Sequence, residues 1–91
     1  MDIWTFSYGG LTVYGDRDVY KPGEDTVLLL SHIKHMEIDK RFLYIDFGCG
    51  SGILSLAIAN KGLYCIAIDI SLHSSRYALC NALLSRLDGY I

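Results

Sequence analysis

The chain has 91 residues, 52% of them hydrophobic, with 8 Lys and Arg against 10 Asp and Glu and a formal net charge of −2. A composition this apolar excludes a disordered chain, and the absence of a basic excess counts against a protein that grips nucleic acid by its phosphates. Apolar stretches fall far short of the ~20 residues of a membrane span, and Asp2 and Trp4 stand where a secretory signal would carry basic residues and an apolar run, so a cytoplasmic chain with no membrane partner is expected.

Along the chain, residues 3–14 (IWTFSYGGLTVY) predict two short strands joined by Gly9-Gly10, which supplies the positive φ of a two-residue hairpin turn. Trp4, Phe6, Tyr8 and Tyr14 are expected to cover the layer beneath, since no Lys or Arg interleaves them for base stacking. A polar stretch containing Pro22 leads to a helix predicted to start near Glu24, where Glu24 and Asp25 suit the positive end of the dipole, and to end at residues 39–40. Residues 41–47 (RFLYIDF) form a compact apolar run stopping in glycines, which predicts a parallel-type strand buried on both faces. A short helix from Ile53, closed by Gly62, and a second buried strand over residues 63–70 follow. Ser71 is a good N-cap for a last helix whose apolar face would hold Tyr77, Ala78, Leu79, Ala82, Leu83 and Leu87. The order strand, helix, strand, helix predicts an α/β unit with parallel strands and flanking helices. Residues 1–40 supply the hairpin and first helix of one single domain, and residues 41–91 a βαβα half.

The segment Asp46-Phe47-Gly48-Cys49-Gly50-Ser51-Gly52 joins the first buried strand to its helix. Glycines there permit a sharp turn and close approach of a flat ligand. The spacing is G-x-G-x-G, with Ile53 where a dinucleotide fingerprint places its third glycine, and no G-x-x-x-x-G-K-[ST] phosphate loop is present. Asp69, 17 residues beyond Gly52, is placed to accept both hydroxyls of an adenosine ribose. Asp46 adds an acid that repels a pyrophosphate and favours the ammonium and sulfonium charges of S-adenosyl-L-methionine.

These residues resemble a known family. Asp46 to Gly52 with Asp69 is similar to motif I and the following acid of class I S-adenosylmethionine-dependent methyltransferases. Residues 18–30 (DVYKPGEDTVLLL) resemble the segment before the core of HemK-like protein-glutamine methyltransferases. The resemblance implies a Rossmann-like methyltransferase fold, here partial, with S-adenosyl-L-methionine as cofactor. It implies that Thr26 touches the methionine end of the cofactor, that Asp46 and Gly48 line it with Cys49 and Gly50 of the same loop, and that Asp69 holds the ribose. Tyr20, Pro22 and Glu24 would stand at the rim. The implied reaction moves a methyl group to the glutamine amide nitrogen of the Gly-Gly-Gln tripeptide of release factors, which makes a release factor or other protein the expected partner.

The chain departs from that family in two respects: Pro22 is its only proline, so the Asn-Pro-Pro-Tyr tetrapeptide that grips the amide has no counterpart and no catalytic residue is assigned, and the third-strand acid expected on the adenine side has none either. The expectation is the cofactor-binding portion without the C-terminal half of the fold, with independent turnover in doubt. The strand at residues 41–47 would then expose an unpaired edge, a route to self-association or a partner chain. The alternatives are a fragment of an adenine-N6 nucleic-acid methyltransferase, a non-catalytic half-domain acting as a binding module, and a nicotinamide-dinucleotide domain, which the missing glycine and Asp46 disfavour. His32 and His35 read as surface residues with no third metal ligand, and no metal site is assigned. His73 reads as a solvent-facing imidazole without a partner. Cys49, Cys65 and Cys80 lack a C-x-x-C pair and read as free thiols, Cys49 with a packing role.

Overall fold

The computed structural model describes residues 2–91. Strands β1 (Ile3–Tyr8) and β2 (Leu11–Asp16) pair antiparallel. The two-residue turn sets Gly9 at φ 54° and Gly10 at φ 83°, the mirror-image geometry that matches strand twist and that side chains resist. Trp4, Phe6 and Tyr8 share one face with Leu11 and Val13 and pack onto Leu30, Ile53, Leu56 and Ala82. Trp4 lies across Gly15, its register partner, where any Cβ would run into the indole. Tyr14 differs from expectation: it lies on the opposite face, 38% exposed, because alternation along β2 gives the inner face to Leu11 and Val13.

Helix α1 (Glu24–His35) starts where its acids predict and ends four residues before Asp39. Met36 turns extended, at ψ 140°, and the Lys61 ammonium donates to the carbonyls of Ile33 (2.7 Å), Lys34 (3.2 Å) and Met36 (2.7 Å). A cation from a distant segment thus satisfies the helix end, a stop that local periodicity does not encode.

Strands β3 (Tyr44–Phe47) and β4 (Cys65–Ile68) pair parallel, with helix α2 (Ile53–Ala59) between them in sequence, and make a second two-stranded sheet separate from the hairpin. Both strands are shorter than expected and are not buried on both faces. Tyr44, Asp46, Cys65 and Ala67 are at least partly covered, whereas Ile45, Phe47, Ile66 and Ile68 stand exposed, Phe47 at 76%. That second face is only partly screened, by α3 and the C-terminal turn near Ile66, and among the described residues the outer edge of β3 has no strand partner. The loop after α2 closes through Gly62 at φ 79°, and Leu63 and Cys65 join Ile58 in a second small core against Ile33, Met36 and Tyr44.

Helix α3 (Leu72–Leu84) is capped by Ser71, whose hydroxyl accepts from the Ser74 amide at 3.2 Å. Its buried face is Ser74, Ala78, Asn81 and Ala82; Leu79 and Leu83, expected inside, are exposed. Close packing on the glycine loop is the reason: a Cβ on Gly52 would sit 3.2 Å from that of Ala78, so only the small-residue face of the helix fits there. A short 3-10 turn (Asp88–Tyr90) follows. The architecture is therefore α/β, with helices packed on a parallel pair and an antiparallel hairpin folded over them. Among the described residues no helix is long and apolar enough to cross a membrane.

Candidate cofactor site

The loop between β3 and α2 is shaped by three left-handed glycines, Gly48 (φ 70°), Gly50 (φ 53°) and Gly52 (φ 88°). The amides of Gly48 and Cys49 both donate to the Ile68 carbonyl, at 2.7 and 3.0 Å, so the loop wraps the end of β4. Added Cβ atoms at Gly48 and Gly50 would meet nothing within 4 Å; there the loop backbone borders open space, which is what close approach by a flat ligand requires. Gly52 differs. It is reserved for the helix contact with Ala78 and starts α2, whose Leu56 amide donates to its carbonyl at 2.9 Å.

Asp69 follows β4 directly. Its two carboxylate oxygens accept from the amides of Gly50 and Ser71, each at 2.9 Å, so one side chain ties the glycine loop to the start of α3. Each oxygen has a second lone pair, and the side chain borders a cleft of about 400 Å³. Gly48, Cys49 and Gly50 form one wall; buried Thr26 from the first turn of α1 and the preceding residues Asp18, Tyr20 and Pro22 form the other. Tyr20 donates its hydroxyl to Asp25 at 3.2 Å, a bond to a carboxylate that raises the phenol above its ordinary value of 10.0.

Of the residues singled out in the sequence, the fold brings Thr26, Gly48, Cys49, Gly50 and Asp69 together, with Tyr20 and Pro22 beside them. Asp46 and Glu24 do not line this cleft. Asp46 points to α2 and accepts from the Ser55 hydroxyl at 2.8 Å. Burial raises its pKa, opposed by the Ser55 hydrogen bonds and aided by the charge of Asp69. Cys49 is buried, and that burial, with Asp46 and Asp69 nearby, pushes its thiol up to about 11, which leaves it protonated and unreactive at neutral pH. The acids that face the cleft are Asp18, Asp25 and Asp69, and among the described residues no Lys, Arg or His lines it.

Two further residues escaped the sequence reading. Asn81, buried in α3, donates to the carbonyls of Tyr14 (2.9 Å) and Ser51 (2.8 Å) and accepts from the Tyr14 amide (3.0 Å). One amide group thereby holds hairpin, glycine loop and last helix together. Its visible signal was a polar residue three positions after Ala78 and beside Ala82, on the helix's small-residue face. His73 has the partner it was expected to lack: its Nε2 lies 2.7 Å from Asp16 Oδ2. Those residues are 57 apart in sequence, and only the fold of the hairpin onto α3 makes the pair.

Residues 24–89 match the family model described as ribosomal protein L11 methyltransferase (PrmA). The matched span runs from the first residue of α1 through α3 and includes the whole glycine loop and Asp69. No curated protein and no solved structure matches the chain.

Proposed function

The chain belongs to the ribosomal protein L11 methyltransferase family, a family of S-adenosylmethionine-dependent enzymes, and from this premise we propose that its cleft binds S-adenosyl-L-methionine as the cofactor portion of a protein methyltransferase. One observation carries the reading: a glycine loop open to close approach faces three carboxylates and no cationic side chain. Two unit charges 4 Å apart interact by about 4 kcal/mol at an effective dielectric of about 20. The loop amides of Gly48, Cys49 and Gly50 are already donated to the Ile68 carbonyl and the Asp69 carboxylate, so nothing in the loop offsets the repulsion these acids exert on a pyrophosphate. A sulfonium with an ammonium group reverses that sign.

In this reading Asp69 receives the ribose hydroxyls on its free lone pairs while its loop bonds persist, Gly48 and Gly50 admit the nucleoside edge with Cys49 packed behind them, and Thr26 with Asp18 and Asp25 faces the methionine end. Asp46 acts at one remove, fixing the loop through Ser55. The cofactor supplies an electrophilic methyl group; this chain binds and orients it. The acceptor is a protein side chain. The cleft wall formed by Asp18, Tyr20 and Pro22 lies outside the matched span and belongs to the segment similar to HemK-like enzymes, which favours a glutamine amide as that acceptor.

Isothermal titration tests the cofactor. Saturable one-to-one binding of S-adenosyl-L-methionine with no binding of a nicotinamide dinucleotide is expected; silence with the first, or preference for the second, overturns the reading. With a tritiated methyl group on the cofactor, label on the glutamine of a Gly-Gly-Gln peptide supports that acceptor, and label on ribosomal protein L11 instead replaces it.

A further inference from the structure

The parallel pair has a face that neither the cleft nor the two small cores use. Alternation along β3 and β4 places Ile45 and Phe47 beside Ile66 and Ile68 on it, and Leu43 and Tyr64, one position ahead of each strand, continue the same parity. These six side chains are between 40% and 76% exposed, and only Ile66 is screened, on one flank, by the C-terminal Ile91. No charged side chain interrupts the row. Parallel sheets are stable with both faces covered; here the helices cover one.

Area and charge identify the occupant. At roughly 200 Å² for a fully exposed side chain of this size, the six offer about 600 Å², at the upper limit of the ~300–600 Å² of the largest apolar patch on a typical monomer and most of the ~800 Å² that each partner gives to a standard interface. A face that asks only for apolar surface is complementary to itself, the property a two-fold contact needs. The two ends of the sheet differ in sign. Lys40 and Arg41 outnumber Asp39 ahead of β3, whereas Asp18, Asp25 and Asp69 line the cleft beyond the strand ends without a cation. A two-fold axis across the strands sets the basic end of one copy toward the acidic end of the other, and such complementarity fixes orientation. We propose that a second copy of this chain covers the face, the two parallel pairs packing face to face as the layers of a sandwich. Pairing through the free edge of β3 is the lesser alternative, because that strand has four residues and joining its edge would leave the apolar face of both copies in water.

Sedimentation equilibrium of the 91-residue chain should give a monomer–dimer equilibrium whose mass levels off at twice that of the chain. Ile45→Glu, which sets a charge on the face in both copies, should raise the dimer dissociation constant by about tenfold or more, whereas Leu28→Glu, exposed on α1, should leave it unchanged. Phe47 is the most exposed of the six, so Phe47→Glu, its fold checked by circular dichroism, decides the matter if Ile45→Glu does not fold. Amide exchange separates face from edge. The Tyr44 and Gly48 amides donate across to Tyr64 and Ile68, so alternation turns the Ile45 and Phe47 amides to the free edge, where a face-to-face dimer leaves them without a backbone partner. A monomer at every concentration, growth past the dimer without a plateau, a dimer that folded face variants leave intact, or new protection of the Ile45 and Phe47 amides on association overturns the proposal.

Discussion

Asp69 shows how much one carboxylate can organise. Its oxygens accept the Gly50 and Ser71 amides, fixing the wall against which the proposed ribose lies. Replacing it by alanine removes both the ligand's acceptor and the loop's tether, so Asp69→Ala should weaken S-adenosyl-L-methionine by about 1–3 kcal/mol. That is roughly 5- to 150-fold in the calorimetric dissociation constant, and unchanged affinity would refute the pose. Asp16 offers a second test. Burial pushes its carboxyl up, but the Asp18 amide and His73 outweigh that and hold it below its ordinary 3.8. A carboxyl lowered on folding stabilises the fold above its unfolded pKa and loses that contribution as pH falls through its folded pKa. Urea unfolding should therefore show His73→Gln less stable than the parent at pH 7, with the gap closing as the solution is acidified below about pH 4. A gap independent of pH would contradict the pairing. At this scale the sequence was legible where chemistry is local: the glycines, Thr26 and Asp69 meet in one cleft. It was silent on the partners that the fold supplies. Asp46 carries the motif position but turns to Ser55, and Asn81 and His73 find partners 67 and 57 residues away, which no local pattern announces.

Among the elements, the β3–α2 loop and α3 form the tightest joint. Gly52 combines φ 88° with a contact in which a new Cβ would stand 3.3 Å from the Ala78 backbone. Gly52→Ala should cost about 1–3 kcal/mol, from left-handed backbone strain and overpacking together, read as a lower urea midpoint with unchanged slope. A neutral result would mean that α3 is free to shift. Element types, and the starts of the hairpin and the helices, followed from periodicity, turn glycines and caps, as Gly9-Gly10 and Ser71 illustrate. Element ends and faces did not. Helix α1 stops where Lys61 reaches its carbonyls, and α3 turns Ala78 rather than Leu79 inward because the glycine loop accepts only a small side chain. Apolar runs in β3 and β4 also overstate burial, since composition records what a strand can bury and not what lies over it.

For the molecule as a whole, the consequence is an apolar sheet face, with Ile45, Phe47, Ile66 and Ile68 exposed, beside the unpartnered edge of β3. Open edges and apolar faces promote association. Sedimentation velocity should show assembly that grows with concentration and is reduced by Ile45→Lys; a strict monomer at all concentrations would show that the face is self-sufficient. The hairpin and the matched span, which carries most of the cleft, nevertheless form one joined body, tied by Asn81 across β2, loop and α3. The central claim concerns that cleft, and a ¹H–¹⁵N correlation spectrum recorded during titration with S-adenosyl-L-methionine examines it residue by residue. The account predicts saturable shifts concentrated at the amides of Thr26, Gly48, Cys49, Gly50 and Asp69, with the hairpin turn at Gly9 and Gly10 unmoved. Shifts confined to other surfaces, or a spectrum unchanged at saturating ligand, would contradict it.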